Sequence, residues 1–238
     1  MKVLELWRYP VKSLQGEQVD AAQLTADGLE GDRRFALYDE DTGLGLTARR
    51  APELLFASAH LREDNTVDIT LPDGSIARDD AALSAWLKRR VRLRSAEAAL
   101  SLRYENVIDF EREPTSGWRA FSGAAGAFHD SPKVRVSLVS TASLGAWDRR
   151  RFRSNVVLDG EGEDGLVGRK VRLGQAELDV VMRVARCVMV TRPQPGGLEA
   201  DLSVLRTIAK EREARLAVGG LVVRAGQTRV GDALIELG

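Results

Sequence analysis

The stretch VARCVMVTRPQPGG, residues 184–197, carries the only cysteine of the chain. A thiolate is the form of cysteine that binds soft metals or attacks electrophiles, and a nearby guanidinium favours it. Arg183 and Arg186 lie close to Cys187 in sequence. Alternation along a regular strand, however, sends Arg186 and Cys187 to opposite faces. The two converge only at a strand end or a bulge, and the turn-forming run TRPQPGG that follows points to a strand end. The plainer reading of Cys187 is a small hydrophobe in a central strand, because free cysteine is among the most buried residue types.

Three further stretches place polar residues where a pure core would exclude them. In RRRFRSNVVLDG, residues 149–160, Arg149, Arg150, Arg151 and Arg153 precede Asn155 and an apolar strand. The cluster reads either as the solvated basic end of a helix or as an anion site, since arginine forks match phosphate oxygens bidentately. In YPVKSLQGE, Lys12 and Ser13 follow a proline that ends the first strand. In GDRRFALYD, Arg33 and Arg34 enter a strand, and alternation puts them on opposite faces.

The elements that must position these residues are mostly short strands. KVLELWRYPV alternates and is rich in β-formers. RRFALYD and GLGLTAR flank a hairpin turn, and Asp73-Gly74 marks another. DDAALSAWLKRR predicts a helix capped by Asp79 or Asp80, and TASLGAWDRR a short one capped by Ser140 or Thr141. From Arg94 to Ser131 the pattern weakens into an irregular connection. KVRVSLVS opens the second half as a strand. Further strands are expected near 155–159, 169–174, 176–182, 184–191, 215–224, 228–230 and 233–237. Asp201 caps a predicted helix whose Leu202, Leu205, Ile208 and Ala209 share a face. Many short strands with few short helices give a mainly β, barrel-like body.

Composition narrows the classes. The chain has 238 residues, 44% of them hydrophobic, enough for one large or two small domains. Lys plus Arg and Asp plus Glu both total 35, so overall charge points to neither nucleic acid nor an acidic membrane, and any basic site is a local cluster. One cysteine excludes an intramolecular disulfide framework and an all-cysteine metal site, and two histidines, His60 and His129, argue against a multi-histidine one. With no signal-like start and no long apolar run, a cytoplasmic protein without a membrane partner is expected.

Taken in order, YPVKSLQGE, GDRRFALYDEDTGLGLTAR, FHDSP, STASL, RFRSNVVLDG and ARCVMVT resemble the MOSC family, the domain related to the C-terminal part of molybdenum-cofactor sulfurases. The resemblance runs from Lys2 to RVGDALIEL and is nearest to the amidoxime-reducing branch. It implies an N-terminal MOSC-associated β-rich region over 1–95, a connection over 96–131 and a β-barrel-like MOSC domain over 132–238. It also implies a molybdenum–molybdopterin cofactor with Cys187 as the metal ligand and catalytic residue. By the same resemblance Lys12 and Ser13 contact the phosphate end, Arg34 matches a cofactor-binding arginine, and Arg153 and Asn155 match an R-x-N pair. Arg186 precedes the cysteine as in the family, and Asp130 and Ser131 fall near another cofactor contact. The acid-Thr-Gly run usual after the cysteine strand is QPGG here.

The implied activity is reduction of small N-hydroxylated substrates. The chain has no second cysteine to hold an iron–sulfur module, so electrons come from a separate protein. A carrier that delivers the cofactor, or sulfur on Cys187, uses the same residues, and a scaffold with a decayed site is the third reading. No general acid stands out: Asp201 reads as a helix cap and His129 as a lone loop histidine. The 111–131 stretch is a candidate lid.

Overall fold

Val136–Ser140 is buried along its whole length, because strands flank it on both sides and cores cover both of its faces. It pairs antiparallel with Arg215–Arg224 and parallel with Val156–Leu158. In the computed structural model, which describes residues 1–98 and 103–238, these three belong to an eight-stranded sheet. Its order is Leu234–Leu237, Lys170–Leu173, Ala176–Ala185, Arg215–Arg224, Val136–Ser140, Val156–Leu158, Val3–Arg8 and Glu17–Val19. A parallel pair needs a crossover. Here the short helix Thr141–Leu144 and the 3₁₀ turn Arg149–Arg151 supply it, and Ser140 caps the helix by accepting from the Ser143 amide.

The sheet curls until its far end returns to its start. Leu234 N donates to Met1 O, and Val3 N to Asp232 O. Leu6, Leu24, Leu138, Val156, Leu178 and Val218 fill the inside. This is the expected mainly β, barrel-like body, built as a curled half-barrel. A second core, with Leu14, Leu37, Leu54, Leu55, Ile69 and Leu83, lies under smaller N-terminal elements. These include Phe35–Asp39 paired with Val91–Ser95, Ser58–Leu61 paired with Val67–Thr70, and the helix Asp80–Leu87 capped by Asp79. Val3–Arg8 and Glu17–Val19 come from the N-terminal part of the sequence yet complete the large sheet. Among the described residues no helix is long and apolar enough to cross a membrane.

Three expectations change. The strand expected at 184–191 does not exist: Ala176–Ala185 runs on past 182 and stops, and Val188–Thr191 is a 3₁₀ turn. Apolar runs of this length do not distinguish strand from turn. The helix Leu202–Arg212 keeps its Asp201 cap but buries Val204, Leu205 and Ile208, leaving Leu202 and Ala209 outside. Last, the connection holds a hairpin, Arg103–Val107 with Trp118–Ser122. Tyr104 and Phe121 face one another across it with ring centroids 5.7 Å apart. The glycine- and serine-rich surroundings masked that alternation in the sequence. Residues 99–102 of the expected connection lie outside the described residues.

Candidate functional site: a cationic cavity around Cys187

The last turns of Ala176–Ala185 break the alternation that would separate Arg186 from Cys187. Register against Arg215–Arg224 slips between Val180 and Met182 and again between Arg183 and Ala185. Bulges of this kind re-aim side chains. As a result Val184, Ala185, Arg186 and Cys187 all line one cavity of about 410 Å³. The strand end and the bulge, both foreseen as ways to bring the pair together, occur at the same place.

Six bases line the cavity, Lys12, Arg33, Arg49, Arg135, Arg153 and Arg186, against one acid, Asp130. A chain of zero formal charge thus concentrates positive charge at one point. Three of the lining residues, Ser13 (φ 71°), Arg33 (φ 52°) and Arg153 (φ 52°), hold left-handed backbone. Such strain persists where surrounding structure imposes it, and it gathers at functional sites.

The N-terminal side of the cavity is a closed charge network. Lys12 is buried; its Nζ donates to Phe128 O at 2.9 Å and to the Asp130 carboxylate, and lies 4.5 Å above the Tyr104 ring. Burial pushes its pKa down to about 8 against the opposing pull of Asp130. Arg49 Nε donates to Cys187 Sγ at 3.4 Å, and its Nη2 to Asp130. Burial works against the Arg49 charge, but Asp130 and the sulfur outweigh it and hold the guanidinium firmly protonated. Burial likewise raises the Asp130 pKa, yet Arg49 and Lys12 prevail and keep it well below the usual carboxylate range. The Asp130 side chain is 45% exposed, at the cavity mouth. Arg33 pairs with Asp32 and reaches Arg153 O.

The sheet side is different. Arg153 donates through Nη1 to Leu14 O and lies 4.3 Å from the Tyr9 ring. Arg186 donates through Nε to Leu216 O and through Nη1 to Phe152 O, both at 2.8 Å. Burial lowers both arginines to about 10. The Nη2 atoms of both, and Nη1 of Arg135, are buried with no hydrogen-bond partner among the described residues. Unmade charged hydrogen bonds are costly in a protein interior, so three orphan guanidinium N–H groups around one cavity point to an anionic ligand.

Residues 1–110 match the MOSC N-terminal beta barrel domain, and residues 125–235 match the MOSC domain. The chain belongs to the MOSC family. This MOSC chain is 28% identical to mitochondrial amidoxime-reducing component 1 of Mus musculus, over 99% of this chain and 82% of that protein. It is 42% identical to mitochondrial amidoxime reducing component 2 of Bos taurus, over 88% and 72%. Against the molybdenum cofactor sulfurase of Caenorhabditis elegans it is 24% identical, over 98% of this chain and only 34% of the sulfurase.

Within this MOSC chain, Lys12, Ser13, Asp130, Ser131, Arg153, Asn155, Arg186 and Cys187 all line the cavity. The three hydroxyl or amide side chains among them are committed to structural bonds, Ser131 Oγ by accepting from Lys133 N. Ser13 Oγ accepts from Ala48 N, and Asn155 takes the Ser137 amide and hydroxyl on Oδ1 while donating to Trp7 O. Arg34 is not in the cavity. It turns outward to Asn65 and Glu97, while Arg33 points in. Alternation had shown that only one of the two could face inward, not which. Of the 149–153 cluster only Arg153 reaches the cavity. Arg149 pairs with Glu5, Arg150 with Asp148, and Arg151 donates to the carbonyls of Val190, Arg192 and Glu199. Arg183 pairs with Asp164 instead of approaching the thiol.

Sequence reading missed Arg49, the residue that touches the sulfur. It ends the GLGLTAR motif, but nothing local ties it to a cysteine 138 residues away. His129 lines the cavity too. Burial, then the Arg33 charge, lower it to about 3, and its Nε2 bonds Asp27 O at 3.2 Å. Asp201 serves as a cap, accepting from the Ser203 amide and hydroxyl.

Proposed function

We propose that this MOSC protein binds a molybdenum–molybdopterin cofactor at the Cys187 cavity. With electrons from a separate protein, it reduces small N-hydroxylated compounds. The observation that carries the reading is the donor set: one thiol beside three orphan guanidinium N–H groups. Among the described residues no group of three His, Cys, Asp or Glu gathers to hold a metal. The protein alone therefore offers a metal one soft ligand. A metal that arrives with its own sulfur ligands on a phosphorylated carrier suits this donor set.

When bound, the cofactor supplies two-electron reduction of the N–O bond. The chain's own residues bind and orient it. Cys187 is the protein ligand, and Arg49 holds its sulfur by the Nε–H donation. Arg153, Arg186 and Arg135 offer their free N–H groups to phosphate and pterin oxygens. Asp130 keeps Lys12 and Arg49 in place and offsets part of the positive charge. His129 is neutral above about pH 3, so it does not supply protons as an imidazolium near neutrality. The relatives' names, amidoxime-reducing components, support the substrate class.

The test is expression in a host that makes the cofactor, comparing wild type with Cys187→Ala. Expected are near-stoichiometric molybdenum and pterin in the wild type, loss of metal in the variant, and reduction of benzamidoxime with a chemical reductant only by the wild type. Bound cofactor without turnover would favour the carrier. Absence of both molybdenum and pterin from the wild type would defeat the reading.

A further inference from the structure

Arg192 stands five residues past the cysteine, outside the cavity lining, and one of its nitrogens joins two distant segments. Nη2 donates to Arg49 O at 2.6 Å and also to the Glu113 carboxylate. Its side chain is 16% exposed and that of Glu113 22%. Glu113 sits in the tip of the 103–122 hairpin, which contributes Asn106 and Phe121 to the cavity wall. Arg49 is the residue whose Nε reaches Cys187 Sγ, and its guanidinium lies 5.3 Å from the Phe121 ring. The same tip is held to the body by Glu111 on Arg206 and by Phe110 packed against the core beneath the Leu202–Arg212 helix.

We infer that Arg192 is a positioning residue that couples the 103–122 hairpin to the cysteine through the backbone of Arg49. The chain of contacts is continuous: Glu113 carboxylate, Arg192 guanidinium, Arg49 carbonyl, Arg49 Nε, Cys187 Sγ. Removing Arg192 leaves the Arg49 carbonyl without this donor and the Glu113 carboxylate without its cation, so the hairpin tip and the sulfur's partner both loosen. Removing only the Glu113 charge weakens one of the tip's anchors but leaves the Arg192–Arg49 bond in place. The coupling belongs to the bare chain and stands whether or not the cofactor reading does.

A single cysteine makes the test clean, because all thiol alkylation reports on Cys187. Cofactor-free protein is treated with iodoacetamide and, separately, with a bulky maleimide, and the rates are read by mass spectrometry. The ratio of bulky to small reagent cancels the sulfur's intrinsic reactivity and reports access. That ratio should rise by about threefold or more in both Glu113→Gln and Arg192→Ala, and Arg192→Lys should stay near wild type, since one nitrogen, Nη2, makes both bonds and an ammonium carries three donors. The iodoacetamide rate alone should change in Arg192→Ala but not in Glu113→Gln. That change should vanish in an Arg49→Gln background, because groups acting through one another are non-additive. Equal ratios in all variants, or an Arg192 effect that persists unchanged without Arg49, would overturn the inference. A thermal melt of each variant shows whether it is folded, and Glu113→Gln keeps the access arm decisive if Arg192→Ala is not.

Discussion

The two walls of the cavity carry similar charge and treat it in opposite ways. On the N-terminal wall Lys12, Arg33 and Arg49 are matched to Asp130 and Asp32. On the sheet wall Arg153 and Arg186 are satisfied only in part, each by backbone carbonyls, and keep a free Nη2. A matched wall is complete without a ligand. A wall with orphan donors is stabilised by one, because a buried charged group with unmade hydrogen bonds gains most when an anion arrives. Position explains the division. Arg153 and Arg186 stand next to strands of the large sheet, where rigid backbone can hold them unpaired, whereas Lys12 and Arg49 come from loops that need their own acid to fix them.

The strongest way to break this comparison is to unmatch the matched wall. Asp130→Leu leaves Lys12 and Arg49 buried without their acid and, since Asp130 itself is half-exposed and partly screened, should lower stability by about 2 kcal/mol in urea unfolding. A loss under about 1 kcal/mol would mean that the wall does not depend on its acid. Next comes the orphan wall. Inorganic phosphate should raise the Tm of the cofactor-free protein, and Arg153→Met should weaken that binding by about tenfold or more while changing ligand-free stability far less than Asp130→Leu does. Equal phosphate stabilisation of wild type and variant would erase the distinction between the walls.

His129 sharpens the picture on the pH axis. Its folded pKa is lowered to about 3 from the usual 6.5. The unfolded chain therefore binds the proton first as pH falls, so the stability that the neutral ring supports is fully present above about 6.5. It is lost at about 1.4 kcal/mol per pH unit down toward 3. His129→Gln can keep a donor to Asp27 O and should flatten that part of the stability curve. An unchanged slope would show that His129 is not the titrating group. The smallest effect is expected at Arg34. Arg34→Ala should leave phosphate binding unchanged and stability within about 0.5 kcal/mol, because its partners are on the surface. Arg33→Ala should disturb both. If the two exchange these effects, the inward-facing arginine has been misassigned.

Much of the site was legible one segment at a time. The capping residues Asp79, Ser140 and Asp201 behave as their local chemistry dictates. Lys12, Arg153, Arg186 and Cys187 were identifiable from residue type and motif, and all four reach the cavity. Errors came where two local solutions were nearly equal. The 184–191 run reads equally well as a strand or as a turn after one, and only bulged pairing with Arg215–Arg224 stops the strand at Ala185. The 103–122 hairpin was hidden because its short alternation lies among glycine- and serine-rich residues and its tip is anchored on distant parts of the body through Phe110, Glu111 and Glu113.

By itself, then, the sequence determined most of the strands, where the helices start, that any basic site in a neutral chain is a local cluster, and that one sulfur is available. Those follow from backbone sterics, capping hydrogen bonds and simple counting, all of which act within a few residues. The tertiary structure alone decided that Arg33 faces in and Arg34 out, and that Arg49 meets Cys187 across 138 residues. It also decided which guanidinium groups are matched and which stay open. Those outcomes depend on how the curled sheet and the N-terminal elements pack together, and no local propensity encodes the distance between two surfaces that meet only after folding.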